Sequence, residues 1–495
     1  MSVTPASTAA RASVVPDNSL FIGGRWIAPT DRETVPVVNP ATGATIGSIV
    51  DGEQSDVDAA FAAARDALPG WSATSPGNRA DLLDSLADTI HDHADELAVL
   101  ASTEIGMPIA ESRAGQAALP EAVLRSTADI ARSMKWEYLD ASGSTVIREP
   151  VGVVLGITPW NFPVHQIVAK LAPALAAGCT IVLKPAELTP LNALFLAGLC
   201  ATAGIPSGVV NVVTGRGSTT GEKLVRSTDY DLVSFTGSLA VGRHIGSVAG
   251  DRVVRATLEL GGKSPAVVAD DADLEIAVRT TVKNCFTNAG QKCNAPTRLI
   301  VPEIDRARAT EIAVSAARDY VLGDPLDAAT TMGPLASPAQ RDKVLGYVAG
   351  ARSRGATVSG GEPLHGLFVR PAIITDVAED DPVARDEIFG PVLVILGHRG
   401  DADAMRIAND TPYGLSAEVW SSDVVRASNL ARQIKAGQIR INGVRTPQPP
   451  IAPFGGYKAS GLGRELGPFA LDEYLEVKAV LGNHVSGEEA SCAQQ

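Results

Sequence analysis

The stretch that decides the fold is VGVVLGITPWNFPVHQIVAKLAPALAAGCTIVLK, residues 151–184. It holds two short apolar runs, 151–157 and 180–184, separated by a Pro-Trp-Asn-Phe-Pro turn and a segment of helical length at about 164–177 that ends at Gly178. Strands that alternate with helices of 10–15 residues form βαβ units with right-handed crossovers. The stretch therefore predicts a parallel, doubly wound sheet, which binds ligands at the carboxyl ends of its strands.

The same alternation continues outward from this stretch. Helices are predicted upstream at 54–66 and 78–104, and a second α/β region begins after Gly261-Gly262. No Ser/Gly linker separates the two regions, so we expect them to share an extensive interface. Strands at 209–215 and 232–237 are predicted to extend the first sheet, and strands at 266–270, 298–302, 391–397 and 439–443 with helices at about 273–288, 303–318 and 338–353 are predicted to form the second region.

Charge and cysteine content exclude several classes of protein. The 495 residues include 42 Lys and Arg against 56 Asp and Glu, a net charge of −14, which repels nucleic-acid phosphates and anionic lipids. No stretch approaches the ~20 apolar residues of a membrane span, and the N-terminus lacks the apolar core of a secretory signal. Five scattered cysteines without a Cys-x-x-Cys pair indicate neither a disulfide framework nor a metal site. We therefore expect a metal-free cytoplasmic protein with no nucleic-acid or membrane partner.

One cysteine stands in a segment that suits a nucleophile. Cys293 follows a glycine turn in Asn288-Ala289-Gly290-Gln291-Lys292-Cys293-Asn294. A thiolate is a strong nucleophile, and Lys292 or nearby backbone amides could lower the thiol pKa. The alternative is that Cys293 is a small buried apolar residue, which is how Cys179, Cys200 and Cys285 are interpreted.

Two further polar residues lie where strands end. Glu259 closes an apolar run before Gly261-Gly262, where desolvation would raise its pKa and suit it to act as a general base. Asn161, in the turn after the strand at 151–157, has amide N–H groups that could hold an oxyanion. Each has a structural alternative: a carboxylate satisfied by backbone amides, and a common turn-forming asparagine.

Three candidate cofactor loops follow strands of the first sheet. Residues 215–221 and 235–238 are glycine-containing loops that open helices, whose N-termini favour phosphate. Neither obeys the G-x-G-x-x-G fingerprint. Lys184 and Glu187, at the end of a third strand, could both reach a ribose, although solvated surface charges remain an alternative.

Seven motifs in register resemble the aldehyde dehydrogenase superfamily, in its non-acylating NAD(P)-dependent branch, from about residue 20 to 480. They are Pro159-Trp160-Asn161-Phe162-Pro163, Lys184-Pro185-Ala186-Glu187, Phe235-Thr236-Gly237-Ser238, Glu259-Leu260-Gly261-Gly262-Lys263, Gly290-Gln291-Lys292-Cys293, Glu387-Ile388-Phe389-Gly390-Pro391 and Pro453-Phe454-Gly455-Gly456-Tyr457-Lys458-Ala459-Ser460-Gly461.

The resemblance implies oxidation of an aldehyde to a carboxylic acid with NAD(P)⁺. By this similarity Cys293 attacks the carbonyl, Asn161 holds the oxyanion, and Glu259 activates the water that hydrolyses a thioester. Lys170 and Glu465 match positions assigned to a proton relay. The implied cofactor contacts are Ile157, Thr158, Pro159, Trp160, Lys184, Glu187, Gly217, Gly221, Phe235, Thr236, Gly237, Ser238, Leu260, Gly261, Glu387 and Phe389. The implied substrate contacts are Phe162, Gln166, Ala169, Lys292, Asn294 and Phe454.

Cofactor and substrate preference follow from single positions. The Glu187 carboxylate can accept hydrogen bonds from ribose hydroxyls but repels a 2′-phosphate, so NAD⁺ is expected over NADP⁺. Ala169 stands where many acetaldehyde-type relatives have a bulky aromatic residue, which indicates a wider tunnel for medium-chain or aromatic aldehydes. Arg445 could anchor the carboxylate of a semialdehyde, with a solvated loop arginine as the alternative.

The family fold also implies a division into parts. These are an NAD-binding domain (18–131 and 151–261), a catalytic domain (262–474), a β-arm oligomerisation element (132–150 and 475–490) that makes a dimer or tetramer, and flexible tails (1–17 and 491–495).

Two other reactions and an inactive protein remain as alternatives. A CoA-acylating aldehyde dehydrogenase generally lacks the glutamate found at Glu259. A cofactor-independent cysteine hydrolase or thioesterase needs an activating histidine, and none of the seven histidines lies in a motif that suggests one. An inactive binding or structural member of the fold has no need of both Cys293 and Glu259.

Overall fold

The first sheet of the structure, a computed structural model that describes residues 16–443 and 450–482, has the predicted parallel arrangement. Antiparallel strands flank the parallel ones on both sides, so only the centre of the sheet is of the βαβ kind. The strand order is Gly461–Leu462, Arg255–Glu259, Leu232–Thr236, Val153–Ile157, Thr180–Lys184, Val210–Val212, Leu20–Ile22 and Arg25–Ile27, of which the second to the sixth are parallel.

Alternate residues of each central strand enter two different cores, so the sheet is covered on both faces. Ile181 and Leu183 pack into one core, and Val182 into the other. Parallel strands buried on both faces read as continuous apolar runs, which is why the sequence predicts them well. The helical segments around this sheet are Gln54–Ser72, Pro76–Asp92, Ala94–Ile105, Ile109–Ser112, Arg113–Ala118 (a π-helical turn), Leu119–Ser133, Pro163–Ala177, Pro190–Thr202, Gly217–Gly221 (a second π-helical turn), Glu222–Arg226 and Leu239–Asp251.

The second α/β region has its own sheet and its own core. Six of its seven strands are parallel. The strand order is Thr357–Gly360, Ala372–Thr375, Val392–His398, Arg298–Pro302, Pro265–Val268, Ser416–Trp420 and Gln438–Ile441. The helical segments that follow Pro265–Val268 along the chain are Leu274–Phe286, Thr287–Gly290 (3₁₀), Glu303–Asp305 (3₁₀), Arg306–Arg318, Pro338–Ser353, Pro382–Arg385, Asp401–Asn409, Val424–Gln433, Lys458–Ser460 (3₁₀) and Gly467–Glu473.

A third, antiparallel sheet joins segments that are far apart in the sequence. The strand Leu475–Val480 pairs along its whole length with Thr145–Pro150, which also pairs with Glu137–Leu139. The described part of the predicted oligomerisation element is therefore one continuous sheet. A separate hairpin pairs Thr34–Val38 with Thr45–Val50.

Helix ends differ from the sequence-based predictions. The single helix predicted over 78–104 is wrong, because the chain breaks at His93, whose φ of −110° and ψ of 20° lie outside helical values. Asp95 and Glu96 then open a new helix with the acidic first turn that favours an N-terminus. The first predicted helix, 54–66, continues to Ser72.

Several predictions fall on residues outside the described ranges. They are Arg445 and the rest of the loop 444–449, the first fifteen residues, and 483–495. In the ranges that the structure does describe, no helix is long and apolar enough to cross a membrane.

Candidate active site

Three glycines in two loops allow the candidate catalytic residues to approach one another. A methyl group placed on Gly262 would lie 2.6 Å from the backbone oxygen of Cys293, and one on Gly455 would lie 2.7 Å from Oε1 of Glu259. One on Gly261 would collide with the Glu387 carboxylate. The segment that carries Glu259 therefore lies directly against the nucleophile segment and the 387–391 loop, and only glycine permits these approaches.

The turn before Cys293 is conformationally unusual. Asn288, Ala289 and Gly290 all have positive φ, at 51°, 52° and 71°. Two of these are non-glycine residues in the left-handed region, which costs energy and persists only where neighbours hold it. Gly290 packs against the backbone oxygen of Gly390, which links this turn to the 387–391 loop.

Asn161 reaches the nucleophile segment from the first α/β region. Its Nδ2 donates to the backbone oxygen of Gln291 at 3.0 Å, and its own backbone oxygen accepts from Nδ2 of Asn288 at 3.0 Å. Gln291 is fully buried, and its side chain bonds Asn288 O and the N–H of Ala336. One N–H of the Asn161 amide is thus committed to positioning, and the second is left for an oxyanion.

The Cys293 side chain is partly buried and its thiol is free. Burial, together with the negative charges of Glu387 and Glu259, raises the pKa of Cys293 to about 12, while Lys292 lowers it by less. Lys292 thus acts on the thiol pKa in the predicted direction, but burial and the two carboxylates outweigh it. The local sequence shows the lysine but not the carboxylates that converge from other loops.

Glu259 has the environment expected of a general base. It is 4% exposed, and its Oε2 has no hydrogen-bond partner among the described residues. Burial, and next the charge of Glu465, raise the pKa of Glu259 well above its ordinary range. A buried carboxylate with a free oxygen and a raised pKa is a stronger proton acceptor than an exposed carboxylate.

Lys170 and Glu465 form a buried ion pair beside Glu259. Lys170 Nζ lies 2.6 Å from Glu465 Oε1 and donates to Thr236 Oγ1 at 2.7 Å. Glu465 is held in place by two backbone hydrogen bonds to Phe454. The two side chains carry opposite charges inside the protein, and they adjoin Glu259, whose Oε2 has no partner among the described residues.

The carboxyl ends of three strands form the candidate cofactor cradle. Lys184 is 2% exposed, and its Nζ donates to Pro185 O at 2.8 Å and lies 3.9 Å from the exposed Glu187 carboxylate. Burial lowers the pKa of Lys184 to about 8. Thr158 N donates to Lys184 O, which ties the turn 158–161 to this strand end. An acid and a base at the end of a parallel strand fit the hydroxyls of a nucleotide ribose.

Two more features of the cradle fit a dinucleotide. Ser238 caps the helix Leu239–Asp251 and accepts from Val241 N at 3.4 Å, so the helix N-terminus lies at the ends of the strands. Gly221 lies beside the aliphatic stem of Lys184, which connects the loop of Gly217 to the same edge. Thr236 and Gly237 follow Phe235 along the strand end, and Leu260 packs against Gly242.

The far side of the cradle is formed by the 387–391 loop. Glu387 Oε1 accepts the N–H of Gly262 at 3.1 Å, and burial raises the pKa of Glu387. Phe389 has a left-handed φ of 60° and packs edge-on against Trp160, with ring centroids 5.4 Å apart. Gln340 Nε2 donates to Phe389 O at 2.6 Å and so supports this conformation.

The predicted substrate residues occupy one end of the helix Pro163–Ala177 and the loops around it. Phe162 stands at its N-terminus and packs near Gly115, and Gln166 and Ala169 follow at helical spacing on the face of Lys170. Phe454 is bonded to Glu465. Lys292 and Asn294 flank Cys293, and a buried oxygen of Asn294 has no partner among the described residues.

Sequence reasoning missed three residues that support the site: Gln291, which lies inside a motif but was given no role of its own, Gln340 and Glu111. Glu111 follows the second predicted helix and bonds the N–H of Asn288 at 2.8 Å across 177 positions of sequence. An isolated glutamate in a short helical turn carries no local signal of such a contact.

Comparison with known proteins agrees with the motifs. The model of the aldehyde dehydrogenase family matches residues 26–480. A 3-succinoylsemialdehyde-pyridine dehydrogenase of Pseudomonas sp. is 42% identical over 93% of this chain and 98% of its own length. The crystal structure of a cysteine-to-alanine mutant of aldehyde dehydrogenase C from Pseudomonas syringae with NAD⁺ and octanal is 40% identical, with a TM-score of 0.92 and coverage of 95% and 99%.

A second solved structure gives the same result. Betaine aldehyde dehydrogenase from Staphylococcus aureus with NAD⁺ is 35% identical, with a TM-score of 0.93 and coverage of 96% of this chain and 97% of that chain. A family match over nearly the whole chain, together with relatives above 30% identity, settles the class. The chain belongs to the aldehyde dehydrogenase family and is an NAD(P)-dependent enzyme that oxidises an aldehyde to the carboxylic acid.

Proposed function

We propose that Cys293 is the nucleophile of this oxidation and that Glu259 is its general base. The observation that carries the proposal is the contact between their two segments: Gly262, three residues after Glu259, leaves no room for a side chain beside the Cys293 backbone. A thiol, a buried carboxylate with a free oxygen, and an amide donor from Asn161 therefore meet in one place.

Formation of the thioester begins at the thiol. Cys293 Sγ bonds to the aldehyde carbon, and its proton leaves to Glu259, whose raised pKa makes it a competent acceptor. The carbonyl oxygen gains the negative charge and is held by the free N–H of the Asn161 amide and the Cys293 N–H. When bound, NAD⁺ supplies the acceptor for the hydride that leaves this carbon, and a Cys293 thioester remains.

Hydrolysis of the thioester reuses the same carboxylate. Glu259, once it has released its proton, accepts one from water, whose oxygen attacks the thioester carbon while the Cys293 thiolate leaves. The pair Lys170 and Glu465 adjoins Glu259 and offers its proton a route toward Thr236. The overall balance is aldehyde, NAD⁺ and water to carboxylic acid, NADH and one proton.

NAD⁺ is the preferred form of the cofactor in this proposal. The Glu187 carboxylate is exposed at the cradle edge, beside the buried Lys184. A 2′-phosphate would meet this negative charge, whereas ribose hydroxyls would donate to it. Glu387 would hold the ribose nearest the site of reaction, and its contact with Gly262 N fixes its distance from Cys293.

For the substrate we propose medium-chain or aromatic aldehydes, with semialdehydes as a further class. Ala169 is 1% exposed and lies on the helix that carries Gln166 and Lys170, where its methyl group takes up less room than an aromatic side chain would. The octanal bound to the P. syringae neighbour supports a medium-chain substrate, and the name of the Pseudomonas relative supports a semialdehyde that bears an aromatic ring.

We also propose the domain division, a homodimer or homotetramer and a cytoplasmic location. The cores support an NAD-binding domain (18–131 and 151–261) and, for most of its length, a catalytic domain (262–474). The last part of 262–474 packs on the first domain instead: Gly461–Leu462 pairs with the first sheet, and Phe454, Leu466 and Leu471 enter its core. The strand Leu475–Val480 lies at an edge of the third sheet and exposes Val477, which favours pairing with another subunit. The four cysteines of the described ranges are free, as in a reducing compartment.

Intact-mass spectrometry during slow turnover tests the nucleophile. In the presence of NAD⁺ the parent enzyme is expected to gain the mass of the acyl group. The Cys293→Ala variant should show no such gain, whereas the matched control Cys200→Ala should gain the same mass as the parent. A CoA-acylating enzyme would need CoA for product release. A cysteine hydrolase would need no NAD⁺, and the largest shifts of the Cys293 thiol pKa come from burial, carboxylates and a lysine. An unmodified enzyme under turnover would refute the proposal.

A further inference from the structure

Glu111 connects the first domain to the turn that precedes the nucleophile. It lies in the short helix Ile109–Ser112, which is anchored by a 2.8 Å hydrogen bond from Ile109 N to Pro325 O. Its Oε2 accepts the backbone N–H of Asn288 at 2.8 Å. The contact therefore spans the boundary between the two proposed domains.

The turn that receives this hydrogen bond needs external support. Asn288 and Ala289 both adopt the left-handed conformation without being glycine, and Gly290 follows with a positive φ. Such a run is not held by its own geometry, because L residues prefer right-handed values. Two described side chains bind the backbone of Asn288, where the run begins. The Glu111 carboxylate accepts the Asn288 N–H, and Nε2 of Gln291 donates to the Asn288 carbonyl oxygen.

The charges around Glu111 favour an ionised acceptor. Burial raises the pKa of Glu111 to about 7, while the Asn288 N–H and the positive charges of Lys292 and Lys283 oppose that shift. The lysines come from the nucleophile segment and from the helix Leu274–Phe286 that leads into it. Both segments thus contribute a positive charge that opposes, without cancelling, the effect of burial on the Glu111 carboxyl.

We propose that Glu111 is a positioning residue: its carboxylate holds the left-handed turn at Asn288 and thereby sets Cys293 against the Asn161 amide. This inference rests on the proposed role of Cys293. Asn161 and Glu111 bind the same turn from two separate elements of the first domain. Asn161 accepts a hydrogen bond from the side chain of Asn288, and Glu111 accepts one from its backbone N–H. Loss of Glu111 removes the described hydrogen bond to the N–H of Asn288, where the left-handed run begins.

Four variants separate positioning from charge and from folding. Glu111→Ala removes the acceptor, Glu111→Gln keeps a neutral acceptor oxygen at the same reach, and Glu111→Asp keeps the charge but withdraws the oxygen. The matched control is Glu96→Ala, an exposed glutamate of the preceding helix. The measurements are the rate of the pre-steady-state NADH burst, the KM for NAD⁺ and the far-UV circular dichroism.

The burst in Glu111→Ala is expected to slow by about 10- to 100-fold, because a small misplacement of a nucleophile costs that much. The KM for NAD⁺ is expected to be unchanged, since the described hydrogen bond of Glu111 goes to Asn288, outside the cradle. Glu111→Gln should stay within about fivefold of the parent enzyme, because a neutral acceptor replaces a charged one. Glu111→Asp should fall between Gln and Ala, and Glu96→Ala should match the parent.

A burst rate in Glu111→Ala equal to that of the parent would overturn the proposal, and so would a Glu111→Gln enzyme as slow as the alanine variant. If Glu111→Ala does not fold, a Glu111→Asp enzyme with the parent's burst rate overturns it instead. Cys293→Ala separates the two levels of inference: activity in that variant refutes the proposed nucleophile, whereas an inactive Cys293→Ala beside a fully active Glu111→Ala refutes only the role of Glu111.

Discussion

Replacing Glu259 with glutamine should separate the two halves of the reaction. Glu259 is 4% exposed, and its Oε2 has no partner in the described ranges, so an amide of the same shape fits without losing a side-chain hydrogen bond at that oxygen. The carboxylate also contributes to the raised pKa of Cys293. Glu259→Gln therefore removes both the base that water needs and the acceptor of the thiol proton. It also removes a negative charge that opposes ionisation of the thiol, so the loss in the first half is partly offset whereas the loss in hydrolysis is not.

The magnitudes follow from these two effects. A general base contributes about 10²- to 10⁴-fold, or roughly 3–5 kcal/mol of barrier at 1.36 kcal/mol for each factor of ten. Steady-state turnover in Glu259→Gln should fall by that factor, while alkylation of Cys293 by iodoacetamide in the free enzyme should be no slower than in the parent. Because the pKa of Glu259 is raised, the hydrolytic step of the parent should also decline as the pH falls through that raised value.

Stopped-flow measurement of NADH resolves the two halves of the reaction, formation of the thioester and its hydrolysis. Glu259→Gln is expected to release about one equivalent of NADH per active site and then to stall, with the acyl mass retained on the protein. Glu476→Gln, which neutralises an exposed carboxylate paired with Arg255, serves as the control. A steady state as fast as that of the parent would show that Glu259 is not the base for water. A burst slowed as much as turnover, with faster alkylation, would instead place its essential role at the first proton transfer.

Three further substitutions test the cradle, the tunnel and the buried ion pair. Glu187→Ser should raise kcat/KM for NADP⁺ relative to NAD⁺, and a parent enzyme that already prefers NADP⁺ would contradict the argument. Ala169→Trp should reduce kcat/KM for octanal far more than for propanal, whereas equal losses would exclude a tunnel role. Lys170→Met leaves the Glu465 carboxylate unpaired and buried, so the free energy of unfolding in a denaturant titration should fall by about 3–5 kcal/mol, and adding Glu465→Gln should recover most of it.

The sequence predicted the parallel strands closely because burial on both faces leaves a continuous apolar signal. Thr180–Lys184 and Arg298–Pro302 have the predicted bounds. Helix ends were less predictable. The helices on either side of His93 adjoin at this one residue, so their helical patterns run together in the sequence and hide the break. The third sheet, which joins Leu475–Val480 to Thr145–Pro150, leaves no local trace of the pairing at all.

The candidate site shows the same division. Cys293, Glu259 and Asn161 were selected because each residue type follows a turn or strand end with plausible chemistry, and the family resemblance supplied their order of action. Their electrostatics could not be predicted in the same way. The local sequence places Lys292 beside Cys293, yet burial and carboxylates from two distant loops decide the thiol pKa.

These opposing charges imply how the thiol is kept unreactive until it is needed. With a pKa of about 12, Cys293 is protonated near neutral pH, and Glu259, whose pKa is raised by burial, is the adjacent group best placed to take the proton. Each carboxylate near the thiol raises its pKa, so the transfer of one proton to Glu259 removes one of the charges that oppose ionisation. Proton transfer and nucleophile activation therefore assist each other, and an enzyme built this way resists adventitious alkylation more than one whose cysteine is a permanent thiolate.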